Sequence, residues 1–96
     1  MEKRNNRYQI DLKESSLKDG SEAGKNISFE FENHDDLFKI FEVVKSKNIF
    51  EDENTSHEFS LGLKLFTEVM LKNRKHLLFE ELQPAISEFM KKLKSY

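Results

Sequence analysis

The repeat of apolar residues changes once along this chain, from every second position to every third or fourth, and that change decides what the chain can fold into. Tyr8, Ile10 and Leu12 alternate with Gln9, Asp11 and Lys13, and Ile27, Phe29 and Phe31 alternate with Ser28, Glu30 and Glu32. Period-two alternation predicts half-buried strands over 7–13 and 27–32. They can pair antiparallel with both apolar faces on the same side. The segment between them, Glu14 to Asn26, holds Ser15, Ser16, Asp19, Gly20, Ser21 and Gly24, a density of turn formers that reads as a long mobile loop.

The helical period begins after Asn33-His34-Asp35-Asp36. There an Asn cap followed by carboxylates would satisfy free N–H groups and the positive end of a helix dipole. Leu37, Ile40, Phe41 and Val44 then share one face, with Phe38 and Val43 on its shoulders, Lys45 and Lys47 at the negative end and Asn48 suited to a left-handed stop. Ile49-Phe50 reads as a connector that dips into the core before the acidic turn Glu51 to Asn54. A second helix is expected to open at Thr55, with Thr55 and Glu58 spaced as a capping box. Its stripe is Phe59, Gly62, Leu63, Phe66, Val69 and Met70, with Leu61, Leu65 and Leu71 on the flanks and Lys64 and Glu68 on a wet sector. The last segment predicts a turn at 78–82 and a helix from Pro84 to about Lys94.

The expected fold is α+β: a two-stranded antiparallel hairpin followed by three helices packed on one face. With 96 residues, of which 28 are Leu, Ile, Val or Phe, the chain has room for one small core, and nine Phe must supply much of its area. Residues 1–6 read as a polar tail and 7–96 as a single domain. A lone hairpin is marginal in water and its open edges are templates for another strand, so a homodimer with an extended sheet is expected over a monomer.

Three stretches also resemble a small bacterial family. Phe29-Glu30-Phe31-Glu32-Asn33-His34-Asp35-Asp36, Gly62-Leu63-Lys64-Leu65-Phe66 and Glu68-Val69-Met70-Leu71-Lys72-Asn73-Arg74 are similar to domain-of-unknown-function family 3861, over about Tyr8 to Leu93. The resemblance implies an α+β domain of bacterial origin with no established activity, and so no catalytic residue to carry over.

Several function classes have no residues to support them. The absence of Cys removes disulfides, thiolate metal sites and a Cys nucleophile. Three glycines, Gly20, Gly24 and Gly62, cannot assemble a phosphate-cradling loop or a dinucleotide fingerprint. Apolar runs reach only three residues, so neither a membrane span nor a signal peptide is expected, and the cytoplasm is the default location. With 16 Lys plus Arg against 18 Asp plus Glu, the charge balance gives no overall pull toward nucleic acid or an anionic membrane. Ser28, Ser60 and Ser87 have no elbow or His motif beside them, so the chain reads as a non-enzyme that needs no cofactor.

What remains are surfaces. Leu61, Leu65 and Leu71, on the flanks of the second helix, are the expected interaction surface for self-association or a protein partner. Lys72, Arg74 and Lys75 form a candidate anion-binding patch and carry the alternative reading of a nucleic-acid-associated protein, disfavoured because no base-reading motif accompanies them. His34 and Asp36 are a metal candidate, weaker than the capping role of the same segment. His76 is placed at a helix C-terminus, where a charged imidazole is favourable without any further function.

Overall fold

Among the described residues stand a hairpin and four helices, in the order β1 (Asn6–Lys13), β2 (Asn26–Asn33), α1 (Leu37–Ser46), α2 (Glu53–Lys72), α3 (Leu77–Glu80) and α4 (Leu82–Lys94). The computed structural model describes residues 4–96, so the first half of the expected polar tail lies outside the described residues. Within the span read as one domain the contacts group into two units that divide between Asp35 and Asp36.

In the hairpin unit the register places Tyr8 opposite Phe31, Ile10 opposite Phe29 and Leu12 opposite Ile27, so the two alternating patterns coincide on one face as expected. Tyr8 and Phe31 stack with ring centroids 5.5 Å apart, and Phe29 lies 6.4 Å from Phe31 along the same face. The opposite face is polar. Arg7 reaches diagonally to Glu30 at 2.7 Å, and Ser28 donates to the Asp11 carboxylate. Glu14 ties the base of the loop. Its backbone N–H donates to the Lys25 carbonyl at 2.9 Å, and its carboxylate accepts the N–H groups of Gly24 and Lys25 at 3.2 and 2.8 Å. At the other end the Asp35 carbonyl accepts from the Tyr8 hydroxyl at 3.0 Å and from the Asn6 amide at 3.2 Å.

Both cap assignments shift by a few residues. The N-cap of α1 is Asp36, whose carboxylate accepts from the backbone N–H of Phe38 and Lys39. Asn33 instead ends β2, is fully buried, and its side-chain oxygen accepts the Asp35 N–H at 3.0 Å, an Asx turn that redirects the chain out of the strand. The N-cap of α2 is Asp52, not Thr55. Asp52 accepts both the Thr55 N–H and the Thr55 hydroxyl, at 3.1 and 3.0 Å, so that hydroxyl is already committed as a donor inside the first turn. Asn48 stands at φ 53° and ends α1 in the left-handed region, as its position suggested.

In the helical unit Leu37 and Val44 of α1, Met70 of α2 and Phe79 of α3 are the buried apolar side chains. The buried line on α2 is not the apolar stripe alone. Ser56, Ser60 and Glu68 are buried, Lys64 is half-buried, and Phe66 and Val69 of the stripe are exposed. The sector expected to stay wet is therefore partly dry. Residues four apart lie on one helix face, so Ser56 and Ser60 put two small side chains on the buried face of α2; α1 and α2 pack against each other. Ser60 returns its hydroxyl hydrogen to the Ser56 carbonyl at 2.8 Å, which removes the cost of burying it.

The C-terminal segment is also redrawn. Most of the single-turn helix α3 stands in place of the expected turn at 78–82, and α4 starts at Leu82, two residues before Pro84. Pro84 thus falls in the first turn, where its missing N–H has no intrahelical partner to lose. Rings join the helices edge to face or tilted: Phe50 to Phe59 at 5.2 Å, Phe59 to Phe89 at 6.1 Å, and Phe66 to Phe79 at 6.1 Å.

Candidate interaction surfaces

Large apolar side chains stand exposed in both units. On the hairpin Leu12 is 64% exposed, and Ile27 and Phe29 are exposed beside it on the same face. In the helical unit Leu77 and Leu78 are 80% and 73% exposed, Phe38 is 68% exposed, and Val69 and Leu71 are exposed near the end of α2. The local cause at α3 is its length. A helix of one turn can turn only one of three consecutive apolar side chains into the core, and Phe79 takes that place. Leu61 and Leu65, the flank expected to carry association, are half-buried, whereas Leu71 is exposed.

Lys72, Arg74 and Lys75 are all exposed and line one surface concavity of about 570 Å³ with Leu71, Asn73 and His76. The fixed geometry there comes from backbone bonds: the His76 N–H donates to the Asn73 carbonyl at 2.8 Å, and the Gln83 amide donates to the Arg74 carbonyl at 2.7 Å. A second concavity, of about 420 Å³, is lined by Phe50, Phe59, Phe89, Leu93 and Tyr96 together with Ile49 and Lys92. It is apolar and open.

The three histidines each have a local role. His34 faces the Asp35 carboxylate at 3.6 Å and is exposed. His57 packs its ring 5.4 Å from Phe41, with Glu53 at 3.9 Å. His76 caps α3 rather than answering the dipole at the end of α2: its Nδ1 accepts the Leu78 N–H at 3.1 Å, which requires that nitrogen to be unprotonated. The Asp36 carboxylate of the metal candidate is engaged in capping α1, and among the described residues no group of three or more His, Asp or Glu is placed to hold a metal ion.

Three exposed carboxylates are held below the usual range. The Ser28 hydroxyl, with help from Gln9, lowers Asp11; the Ser21 hydroxyl and N–H lower Asp19; and the Lys45 ammonium, 2.9 Å away, lowers Glu53. These are structural contacts on strand, loop and helix start, and they do not converge on one site.

No helix among the described residues is long and apolar enough to cross a membrane. A family described as a domain of unknown function with solved-structure structure, DUF3861, matches residues 6–95. The chain is also similar to a protein of unknown function (eca1910) from Pectobacterium atrosepticum SCRI1043, known from its crystal structure. The two are 40% identical, with a TM-score of 0.83 over 96% of this chain and 99% of that one. No curated protein matches it.

Proposed function

The chain belongs to family DUF3861, and we propose that it is a non-enzymatic binding domain that works by self-association and by recognising a protein partner through its exposed apolar side chains. One observation carries this. Among the described residues four apolar side chains are buried, while Leu12, Ile27 and Phe29 in one unit and Phe38, Leu71, Leu77 and Leu78 in the other are left in water. Exposed apolar clusters on soluble chains are interaction surfaces or aggregation liabilities. The hairpin adds two open strand edges, which recruit further strands through backbone hydrogen bonds.

The test is the molar mass in solution by light scattering behind size exclusion, over a range of protein concentrations. The reading expects twice the 11.4 kDa chain mass at high concentration and dissociation on dilution. A chain mass of one copy throughout would remove self-association. A second reading is favoured by the shared concavity of Lys72, Arg74 and Lys75, which could neutralise about three phosphates. Nucleic-acid binding there would weaken steeply with salt, and binding that is undetectable at low salt would end that reading.

A further inference from the structure

The geometry points to a second copy of this chain docked on the outer edge of β1, antiparallel, with Gln9 facing Gln9 of the other copy. The proposal rests on the self-association reading and names its surface and register. The two-stranded sheet leaves β1 and β2 each with one edge that no strand covers among the described residues.

The backbone decides which groups are offered. The Glu14 N–H donates to the Lys25 carbonyl in the same register as the strands, so even-numbered residues of β1 turn their N–H and C=O toward β2. Arg7, Gln9, Asp11 and Lys13 turn theirs outward, because the direction alternates along an antiparallel strand. A self-pairing that keeps the apolar face continuous must match even residues with even ones and odd with odd.

Charge then selects among the registers. With Gln9 opposite its own copy, Arg7 faces Asp11 of the other chain twice over, and Tyr8 faces Ile10. Moving the centre to Ile10 sets Arg7 against Lys13, and moving it to Asp11 sets that carboxylate against itself. On β2 the only charged residues are Glu30 and Glu32, so no self-pairing of that edge makes an ion pair, and centring it on Glu30 or Phe31 opposes like charges. Opposite charges directly across strands stabilise a pair and like charges oppose it. The β1 edge thus makes ion pairs with itself when centred on Gln9 or on Leu12, but the Leu12 register sets Glu14 against Ile10 on the apolar face and leaves Arg7 without a charged partner, so the Gln9 register is the complementary one; the β2 edge has none. The centred register closes hydrogen bonds from the N–H groups of Arg7, Gln9 and Asp11 and makes a four-stranded sheet whose apolar face is doubled.

The experiment measures dimer dissociation by sedimentation equilibrium for the full chain and for Arg7→Asp, Asp11→Arg and the double variant, with circular dichroism confirming the fold. Each single reversal turns two attractions into two repulsions and is expected to weaken the dimer about ten- to thirty-fold. The double variant should recover to within about threefold of the parent, on the same scale of pair energies. Glu30, which pairs with Arg7 within the chain, meets the same reversed charge at position 7 in Arg7→Asp and in the double variant, so recovery from the first to the second reports the contact between copies. If a single variant fails to fold, Gln9→Cys decides. The chain has no Cys, and two facing Cα atoms in a hydrogen-bonded pair lie about 5.5 Å apart, within disulfide reach. Oxidation should link Gln9→Cys into a covalent dimer faster than Glu30→Cys on the other edge. A dimer indifferent to both charge reversals, or faster linkage through Glu30→Cys, overturns this edge while leaving self-association standing. A chain that stays monomeric at every concentration overturns both.

Discussion

Leu78 and Phe79 are neighbours in sequence and both strongly apolar, yet Phe79 is 9% exposed and Leu78 is 73% exposed. Truncating each to Ala should therefore cost very different amounts. A buried Phe→Ala change removes transfer energy and leaves a cavity, about 3–5 kcal/mol. Leu78 has about a quarter of its surface covered, so removing it loses about a quarter of the 1.5–3 kcal/mol of a fully buried side chain, or ~0.5 kcal/mol. A chain of this length is stable by about 5–14 kcal/mol, so Leu78→Ala should fold across that range and Phe79→Ala everywhere above its lower end. Urea denaturation separates them. With a slope of about 1 kcal/mol/M for so small a protein, Phe79→Ala should lower the midpoint by about 3 M or more, and Leu78→Ala by about 0.5 M. The measurement is made at low and high protein concentration. An added loss for Leu78→Ala at high concentration alone would place Leu78 in an interface between molecules. An equal loss for the two variants at low concentration would refute the reasoning, because Leu78 would then have to be buried within a single chain.

Three further outcomes follow from the local geometry. Asp36→Ala and Asp52→Ala each remove a cap that satisfies backbone N–H groups and should each cost about 1 kcal/mol in chemical denaturation, whereas Thr55→Val, which keeps the Asp52 cap on the Thr55 N–H, should cost less than Asp52→Ala. Asn48→Val places a β-branched residue at φ 53° and should destabilise by about 1–2 kcal/mol, while Asn48→Gly should be neutral or better; reversed order in thermal melts would contradict the left-handed stop. Glu53 is held below its usual value, chiefly by the hydrogen bond from Lys45. A carboxylate lowered in the folded state contributes stability above its unfolded pKa and loses it as the pH falls through the folded one. Glu53→Gln should therefore melt below the parent at neutral pH, and the two curves should converge in acid.

The hairpin was legible because alternation fixes the shared apolar face, which only a slip by an odd number of residues would break; the register within that face, Tyr8 with Phe31, Ile10 with Phe29 and Leu12 with Ile27, is the one that pairs all three apolar residues of each strand. The caps were legible only as neighbourhoods. Asn33, Asp35, Asp36, Asp52 and Thr55 are all chemically able to cap, and the choice lies in the backbone, which is extended at Asp36 (φ −80°, ψ 103°) and at Asp52 (φ −96°, ψ 125°). The dry sector of α2 was missed because hydropathy scores Ser56 and Ser60 as polar. Their relevant property is small size, and at Ser60 a hydroxyl that bonds to the preceding turn. The signal that could have revealed it is their spacing of four. Exposure at Leu77 and Leu78 was not legible at all, since a three-residue apolar run in a one-turn helix gives no period to read. The β1 edge, by contrast, rests on charges that stand in the sequence. Only the observed register and the outward direction of the odd-numbered backbone groups turn them into a surface.

Amide hydrogen exchange at that edge tests the central claim most directly. At a protein concentration that favours the dimer, the outward N–H groups of Arg7, Gln9 and Asp11 should exchange as slowly as the inward ones of Tyr8 and Ile10, and should speed up on dilution. The outward groups of β2, at Ser28, Glu30 and Glu32, should exchange fast throughout. Fast exchange at Arg7, Gln9 and Asp11 at every concentration would mean that no second strand lies against β1, and the account of that edge as the seat of self-association would fail.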